Sequence, residues 1–195
     1  MTSKKELIIE AASRRFERYG YTKTSLEEIA HDLGIGKATI YHYFGSKEDL
    51  LLNVIQMEAA RLREKTLEAL KKVATPPEKL RLFLQIHFDH IFQSANIKSL
   101  NRETIYKLQP IVDNAVREFY QDQLKMLRSI LEEGIAGKFF RPLDVDALAN
   151  LLLSVLRSFF TPKLLLDQTI SPKRLLDAFL DIILQGIQVA EVKNL

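Results

Sequence analysis

Apolar side chains recur every three or four residues along most of the chain, which is the period of an amphipathic helix. In the first such segment, Ser3 followed by Glu6 is typical of a capping box, and Gly20 is expected to end the helix in a left-handed conformation. The face that we expect to be buried carries Ile8, Ala12, Phe16 and Tyr19.

Two short helices are expected next. The second helix of the chain should open at Thr24 or Ser25, because each is followed by a glutamate three residues later. A third helix, from Lys37 to about Phe44, is too short to be stable alone in water. We therefore expect Ile40 and Phe44 to hold it against the first two helices. The inner face of the second helix would carry Leu26, Ile29, Ala30 and Leu33.

The remaining chain continues the helical period. A long helix is expected from Lys47, after a cap at Ser46, to about residue 73, and a shorter one within 97–107. A loop is expected over 134–142, and no segment has a convincing strand pattern. The other helices are predicted over about 77–93, 110–134, 145–160 and 172–190.

These elements predict an all-α fold of about nine helices in two domains. Residues 1–46 would form a three-helix bundle with a helix-turn-helix, whose second and third helices cover about 25–44. A long linker helix would begin a C-terminal helical domain over 47–195.

Composition excludes several classes of protein. The chain has no cysteine, which excludes disulfides and thiolate metal sites. Its apolar runs are too short for a transmembrane helix, and residues 1–10 lack the features of a secretory signal, so the expected location is the cytoplasm. We find no phosphate-binding loop or nucleophile motif, and therefore expect neither enzymatic activity nor a cofactor. His87 and His90 share a helical face but have no identifiable third ligand, so no metal site is expected.

The most informative segment, residues 24–47, contains two short helices separated by Gly34-Ile35-Gly36. This spacing is typical of a helix-turn-helix, whose second helix enters the major groove of DNA. Polar and aromatic side chains remain on the outside of the third helix, where tyrosines suit phosphate contacts and Lys37, Thr39 and His42 suit base edges. The beginning of the next helix also favours a phosphate. The expected DNA-binding residues are Thr24, Ser25, Lys37, Ala38, Thr39, Tyr41, His42, Tyr43 and Lys47.

The alternative is that these residues are ordinary helix caps and surface aromatics of a small bundle. The net charge of +3 does not distinguish these two interpretations. Residues 1–50 contain 8 Lys and Arg and 8 Asp and Glu, so this segment is formally neutral.

Residues 7–51 resemble the DNA-binding domain of TetR-type repressors, in the segments Gly20-Tyr21, Thr24–Ala30, Leu33–Ile35 and Ile40–Leu50. A weaker likeness, Glu133–Pro142, resembles the turn that these proteins place before their first dimerisation helix. The resemblance implies a DNA-binding head, a linker helix and a ligand-binding body, with the nine residues above at or near DNA. Position 36 is often serine in this family, whereas glycine stands here, at a cost of a few tenths of a kcal/mol as a helix cap.

The last two predicted helices carry apolar side chains on more than one face and must bury more than one face. They could form the centre of a monomeric core or, as the resemblance favours, a four-helix contact with a second copy. Such a homodimer would place two recognition helices roughly 34–36 Å apart, one turn of DNA. The expected interface residues are Leu148, Leu152, Val155, Phe160, Leu176, Phe179, Ile183 and Ile187.

A ligand cavity is expected inside the body, although the same phenylalanine-rich stripes also suit a plain core. Its expected lining is Phe83, His87, Phe88, Ile91, Tyr106, Phe119, Gln123 and Phe159. We thus predict a transcription regulator, a repressor that a small apolar or amphipathic molecule releases from a palindromic operator in double-stranded DNA. The alternative is a helical small-molecule carrier or partner-binding module without sequence-specific DNA binding.

Overall fold

The computed structural model describes residues 3–93, 113, 116–158 and 171–189. Its helices are α1 Lys4–Tyr19, α2 Leu26–Asp32, α3 Lys37–Tyr43, α4 Lys47–Leu70, α5 Pro76–Gln93, α6 Arg117–Ala136, α7 Val145–Ser158 and α8 Pro172–Ile187. Within these ranges the β-structure is limited to an isolated antiparallel bridge between Phe140 and Gln188. The all-α prediction is confirmed, and the helix expected within 97–107 lies outside the described residues.

Polar side chains begin the helices as the spacing predicts. Ser3 and Ser25 form capping boxes with the glutamates three residues later. Ser25 rather than Thr24 caps α2, because the Thr24 hydroxyl donates instead to the carbonyl oxygen of Gly20, at 2.9 Å. The hydroxyl of Ser46 accepts from the backbone N–H of Asp49 at 3.0 Å and so caps α4.

The end of α1 differs from its prediction in two respects. Gly20 has a φ of 87°, which favours glycine, but its ψ of 146° lies outside the left-handed helical region. Tyr19 is exposed and packs against the guanidinium groups of Arg15 and Arg18 rather than in the core. Tyr21 is buried instead and meets Phe16 edge to face, with ring centroids 5.3 Å apart.

The described residues form two compact units, which we call the head and the body. The head holds residues 3–62, with 92, 93, 113 and 116–119, and the body holds 63–91, 120–158 and 171–189. The division falls inside α4, whereas the sequence suggested a boundary at residue 46. The reason is that the first half of α4 contributes to the head core through Leu50, Leu51 and Val54.

The head core explains why the short helix α3 is stable. Ile40 and Phe44 are fully buried, together with Ile8, Phe16 and Ile29 from α1 and α2. Burial of each such side chain stabilises a fold by about 1.5–3 kcal/mol, which a helix of seven residues requires.

The body core is formed by fully buried aliphatic and aromatic side chains from α5 to α8. Its α6 passes through Gly134 and ends at Ala136, so the loop predicted over 134–142 begins later than expected. Gly134 fits because a Cβ there would lie 2.0 Å from the buried ring of Phe140. Fully buried body residues include Leu80, Phe83, Leu84, Leu127, Leu131, Ala149, Leu152 and Leu180.

None of the described helices combines the length and the apolarity that a membrane-spanning segment needs. The cytoplasmic location expected from the sequence stays a prediction.

Candidate nucleic-acid interface and ligand site

Helix α3 buries one side and exposes the other, as its spacing predicts. Ile40 is completely buried, whereas Tyr41 keeps 48% of its surface exposed. Lys37, His42 and Tyr43 are also exposed, and the rings of His42 and Tyr43 meet edge to face. The exposed side therefore presents one ammonium group, two phenols and one imidazole to solvent.

A concave surface of about 570 Å³ lies beside this exposed side. The beginning of α4 lines this surface, and the positive end of a helix dipole favours an anion such as a phosphate. Tyr41 adds a hydroxyl of the kind that contacts phosphate oxygens. The groove is lined by Thr22, Lys23, Thr24, Ser25, Leu26, Glu27, Tyr41, Gly45, Ser46, Lys47 and Glu48.

Lys47, which we expect at a phosphate, is held by the protein itself. Its Nζ donates to the carbonyl oxygens of Tyr21 at 2.9 Å and Thr24 at 2.8 Å, and it lies 4.3 Å from the centroid of the Tyr21 ring. Burial lowers the pKa of Lys47. Since an ammonium group has three N–H donors, one remains for another partner. Lys47 thus fastens the beginning of α4 to the turn before α2.

Two other predicted DNA contacts are engaged in the head. Thr24 is only 2% exposed, and its hydroxyl bonds to Gly20, so its side-chain position does not support the predicted contact with DNA. Ser25 is half-buried, and its hydroxyl accepts from the backbone N–H of Glu28. Ala38 is exposed and Thr39 is half-buried on α3. Of the nine predicted DNA-binding residues, those exposed to solvent are Lys37, Ala38, Tyr41, His42 and Tyr43.

The structure adds to the site two acidic residues that the sequence did not suggest as DNA contacts. Glu27 pairs with Lys37, which raises the pKa of Lys37 and lowers that of Glu27. Glu48 accepts from the hydroxyl of Tyr21 at 3.0 Å, and burial raises the pKa of Tyr21. Both pairs join residues far apart in the chain, so helical spacing alone contains no signal for them.

The predicted dimer face requires a correction. Leu152, Leu176 and Ile187 are already buried against their own protomer, so they are not available on its surface. The exposed large apolar side chains on the described residues of α7 and α8 are Leu151 at 54% and Ile182 at 72%. Phe160 lies outside the described residues, and the half-buried members of the predicted face are Leu148, Val155, Phe179 and Ile183.

Most of the predicted ligand residues are buried. Phe83, His87, Phe88, Ile91 and Gln123 are inaccessible to solvent or nearly so. Phe119 is half-buried, whereas Tyr106 and Phe159 lie outside the described residues.

His87 and Gln123 are buried polar residues with unused hydrogen-bonding capacity. The ring of His87 stacks on Phe83 with centroids 4.1 Å apart, and its Nδ1 lies 2.8 Å from the Phe83 carbonyl oxygen. That oxygen only accepts, so Nδ1 carries the proton and Nε2 is an acceptor. Within the described chain, neither this Nε2 nor either amide atom of Gln123 has a hydrogen-bond partner of good geometry.

Burial lowers the pKa of His87 to about 4, although the backbone of Phe83 and the nearby Gln123 amide favour its charged form. The imidazole is therefore neutral near pH 7. Among the residues that the structure describes, no group of three His, Cys, Asp or Glu side chains could hold a metal ion.

Two family models match almost the whole chain. Residues 8–54 match the bacterial regulatory proteins of the tetR family, and residues 55–186 match the C-terminal region of YsiA-like proteins. The fatty acid metabolism regulator protein of Bacillus subtilis is 27% identical over 181 residues, which cover 92% of this chain and 93% of that protein.

Solved structures show the same fold. A transcriptional regulator from Cytophaga hutchinsonii has a TM-score of 0.77 at 28% identity, with 94% of this chain and 98% of that chain covered. FadR from Bacillus subtilis, solved in complex with stearoyl-CoA, has a TM-score of 0.67 at 26% identity, with 93% and 98% covered.

Proposed function

The chain belongs to the TetR family of bacterial regulatory proteins, and from this premise we propose that it is a ligand-released repressor of a palindromic operator. Members of the family bind DNA and dimerise, and the chain is a ligand-responsive DNA-binding regulator. The observation that carries the proposal is the orientation of α3. Its aliphatic side is buried, and its lysine, histidine and tyrosines are exposed.

In the proposed complex the exposed side of α3 lies in the major groove. Lys37, Thr39 and His42 contact base edges, Ala38 meets a thymine methyl group, and the tyrosines contact phosphates. The groove beside Tyr41 receives the DNA backbone at the beginning of α4. The third N–H of Lys47 is available to the same phosphate.

The second copy of the chain packs against the exposed side of α7 and α8. Leu151 and Ile182 supply the centre of this interface because they are the large apolar residues that the described part of α7 and α8 leaves exposed. The half-buried side chains of Leu148, Val155, Phe179 and Ile183 surround them. Burial of this strip removes apolar surface from water, which drives association.

The ligand is an amphipathic molecule with a long apolar chain, bound inside the body. Buried polar groups in proteins nearly always have partners, and His87 and Gln123 offer one acceptor and one amide in a largely apolar surrounding. The complex of Bacillus subtilis FadR with stearoyl-CoA supports an acyl chain as the apolar part.

Helix α4 links ligand to DNA because it runs without interruption from the head into the body. A ligand that prefers one arrangement of the body changes the separation of the two heads in the dimer. The loss of operator affinity cannot exceed the ratio of the ligand's affinities for the two arrangements.

The test is selection of duplexes by the full chain from a randomised library, followed by fluorescence anisotropy on the selected operator. We expect the selected sites to be palindromic, and the logarithm of the affinity for them to fall linearly with the logarithm of the salt concentration. We also expect weaker operator binding with stearoyl-CoA than with CoA alone. Thr39→Val should alter the selected sequence, whereas Lys47→Ala should weaken binding to all sequences. A chain that binds no duplex even at low salt would instead be a helical carrier.

A further inference from the structure

An ion pair joins the two helices of the helix-turn-helix at the edge of the proposed DNA surface. Glu27 lies in the first turn of α2, and Lys37 is the first residue of α3. Both side chains remain about half exposed, at 55% and 46%. The Lys37 Nζ also lies 5.3 Å from the centroid of the exposed Tyr41 ring, so two neighbours hold the ammonium group in place.

Glu27 lies in the first turn of α2, where the helix dipole favours a carboxylate, and the ion pair with Lys37 adds a second contact. An ion pair this exposed contributes little to folding, since solvent screens it. Phosphates of DNA repel a carboxylate, so Glu27 weakens sequence-independent binding. Glu27 also lines the groove beside α3, close to where the duplex would approach. Such a carboxylate lowers the affinity for DNA of any sequence. It can still raise the specificity for the operator if it accepts a hydrogen bond from one particular base there.

We propose that Glu27 and Lys37 together read one G·C base pair in each half of the operator, an inference that rests on the proposed function. In the major groove, guanine presents two acceptors, N7 and O6, next to the N4 amino donor of cytosine. The pair offers an ammonium donor next to a carboxylate acceptor. Lys37 donates to the guanine atoms, and Glu27 accepts from the cytosine amino group.

The position of the pair in the fold supports this assignment. Residues at the beginning of a recognition helix are those that contact base edges in helix-turn-helix proteins, and Lys37 begins α3. The contact with Glu27 orders the lysine before DNA arrives, so less side-chain entropy is lost on binding.

The decisive variant is Glu27→Met, which keeps the approximate size of the side chain and removes both its charge and its oxygen acceptors. We expect this variant to bind random duplex DNA more tightly than the wild type and to lose about 10-fold of the discrimination at one G·C position per half-site. Lys37→Met should lose the same preference while binding all DNA more weakly. If the two residues act as a unit, the double variant loses little more discrimination than either single variant.

Glu17→Met is the matched control, because it makes the same change at one exposed carboxylate of α1 outside the groove. It should leave the base preferences unchanged. The measurement is library selection with each full-length variant, then anisotropy on duplexes that carry G·C or A·T at each position, with thermal melting to verify folding.

Two results would overturn the inference while leaving the proposed function intact. One is a folded Glu27→Met variant that keeps every base preference of the wild type. The other is a wild-type operator with A·T at the position that this variant affects. A wild type that binds no duplex would overturn the proposed function, and this inference with it.

Discussion

The head and the body use polar side chains in opposite ways. In the head, the polar residues around the groove bond to one another, as Lys47 does to the turn before α2 and Glu48 to Tyr21. In the body, His87 and Gln123 are buried with polar atoms that have no partner among the described residues. The head therefore presents a preformed surface, whereas the body keeps buried polar atoms with hydrogen-bonding capacity that the described residues do not use.

This difference shows why one candidate site is easier to recognise than the other. In the head, apolar residues form the core and polar residues form the surface. The candidate functional side chains are therefore the exposed ones that the core does not use. Inside the body, a phenylalanine that lines a cavity and one that fills a core have the same chemistry. The polar exceptions are then the informative residues. Four predictions test this contrast, from the largest expected effect to the smallest.

The largest effect on stability is expected when substitutions on the buried and the exposed side of α3 are compared. Ile40→Ala should destabilise the head by about 2–5 kcal/mol, because it leaves a cavity where a short helix is attached. Tyr41→Ala should change stability by no more than about 0.5 kcal/mol and still impair DNA binding. Urea unfolding followed by circular dichroism measures the first effect and anisotropy the second. Equal destabilisation by both substitutions would mean that α3 packs differently.

The second prediction concerns the buried histidine of the body. The pKa of His87 is about 4 in the folded protein against 6.5 for an ordinary histidine, so below pH 6.5 the unfolded chain binds more protons than the folded one. Stability should therefore fall as the pH decreases from 6.5 to 4, by at most about 3 kcal/mol.

His87→Leu should remove this part of the pH dependence, and Phe88→Leu, a buried neighbour that does not titrate, should retain it. Urea unfolding at half-unit intervals of pH separates them. If His87→Leu had the same pH dependence as the wild type, the histidine would not be neutral and buried as described.

Two glycines give the third and fourth comparisons. In the body, Gly134→Ala should cost about 1–3 kcal/mol, because the new methyl group overlaps the buried ring of Phe140. The cost should shrink when Phe140→Ala is also present, which a double-mutant cycle by thermal unfolding would detect. An equal cost in both backgrounds would show that the ring is not the obstacle.

The smallest effect is expected at the beginning of α3. Gly36 caps this helix without a side-chain hydrogen bond, and a Cβ added there would meet no atom beyond its chain neighbours within 4 Å. Gly36→Ser should stabilise the head by a few tenths of a kcal/mol, since its hydroxyl can accept from a free N–H of α3. Gly36→Ala offers no acceptor and should not stabilise. Differential scanning calorimetry of the three proteins compares their melting temperatures.

Much of the fold could be predicted because its signals are local. A serine three residues before a glutamate specifies a helix start through contacts within one turn, and this held at Ser3 and Ser25. Tyr19 shows where such reasoning fails. It continues the apolar stripe of α1, yet it is exposed, because the core is already filled by Phe16 and Tyr21 at the end of the helix.

The interface residues on α7 and α8 show the same limit. Both helices have apolar side chains on several faces, so helical spacing cannot tell which face the protomer buries for itself. Packing in the body takes Leu152 and Leu176 and leaves Leu151 and Ile182 exposed. On α7 a single residue step separates the buried Leu152 from the exposed Leu151.

The amino-acid sequence by itself determined the helices, their caps and the side of α3 that faces outward, because each depends on residues within about one turn of one another. Only the tertiary structure decided the partners of Glu27 and Lys47, the division inside α4 and the unpaired polar atoms of His87 and Gln123. These depend on which distant helices meet, and that is settled by how all the side chains of a unit pack together.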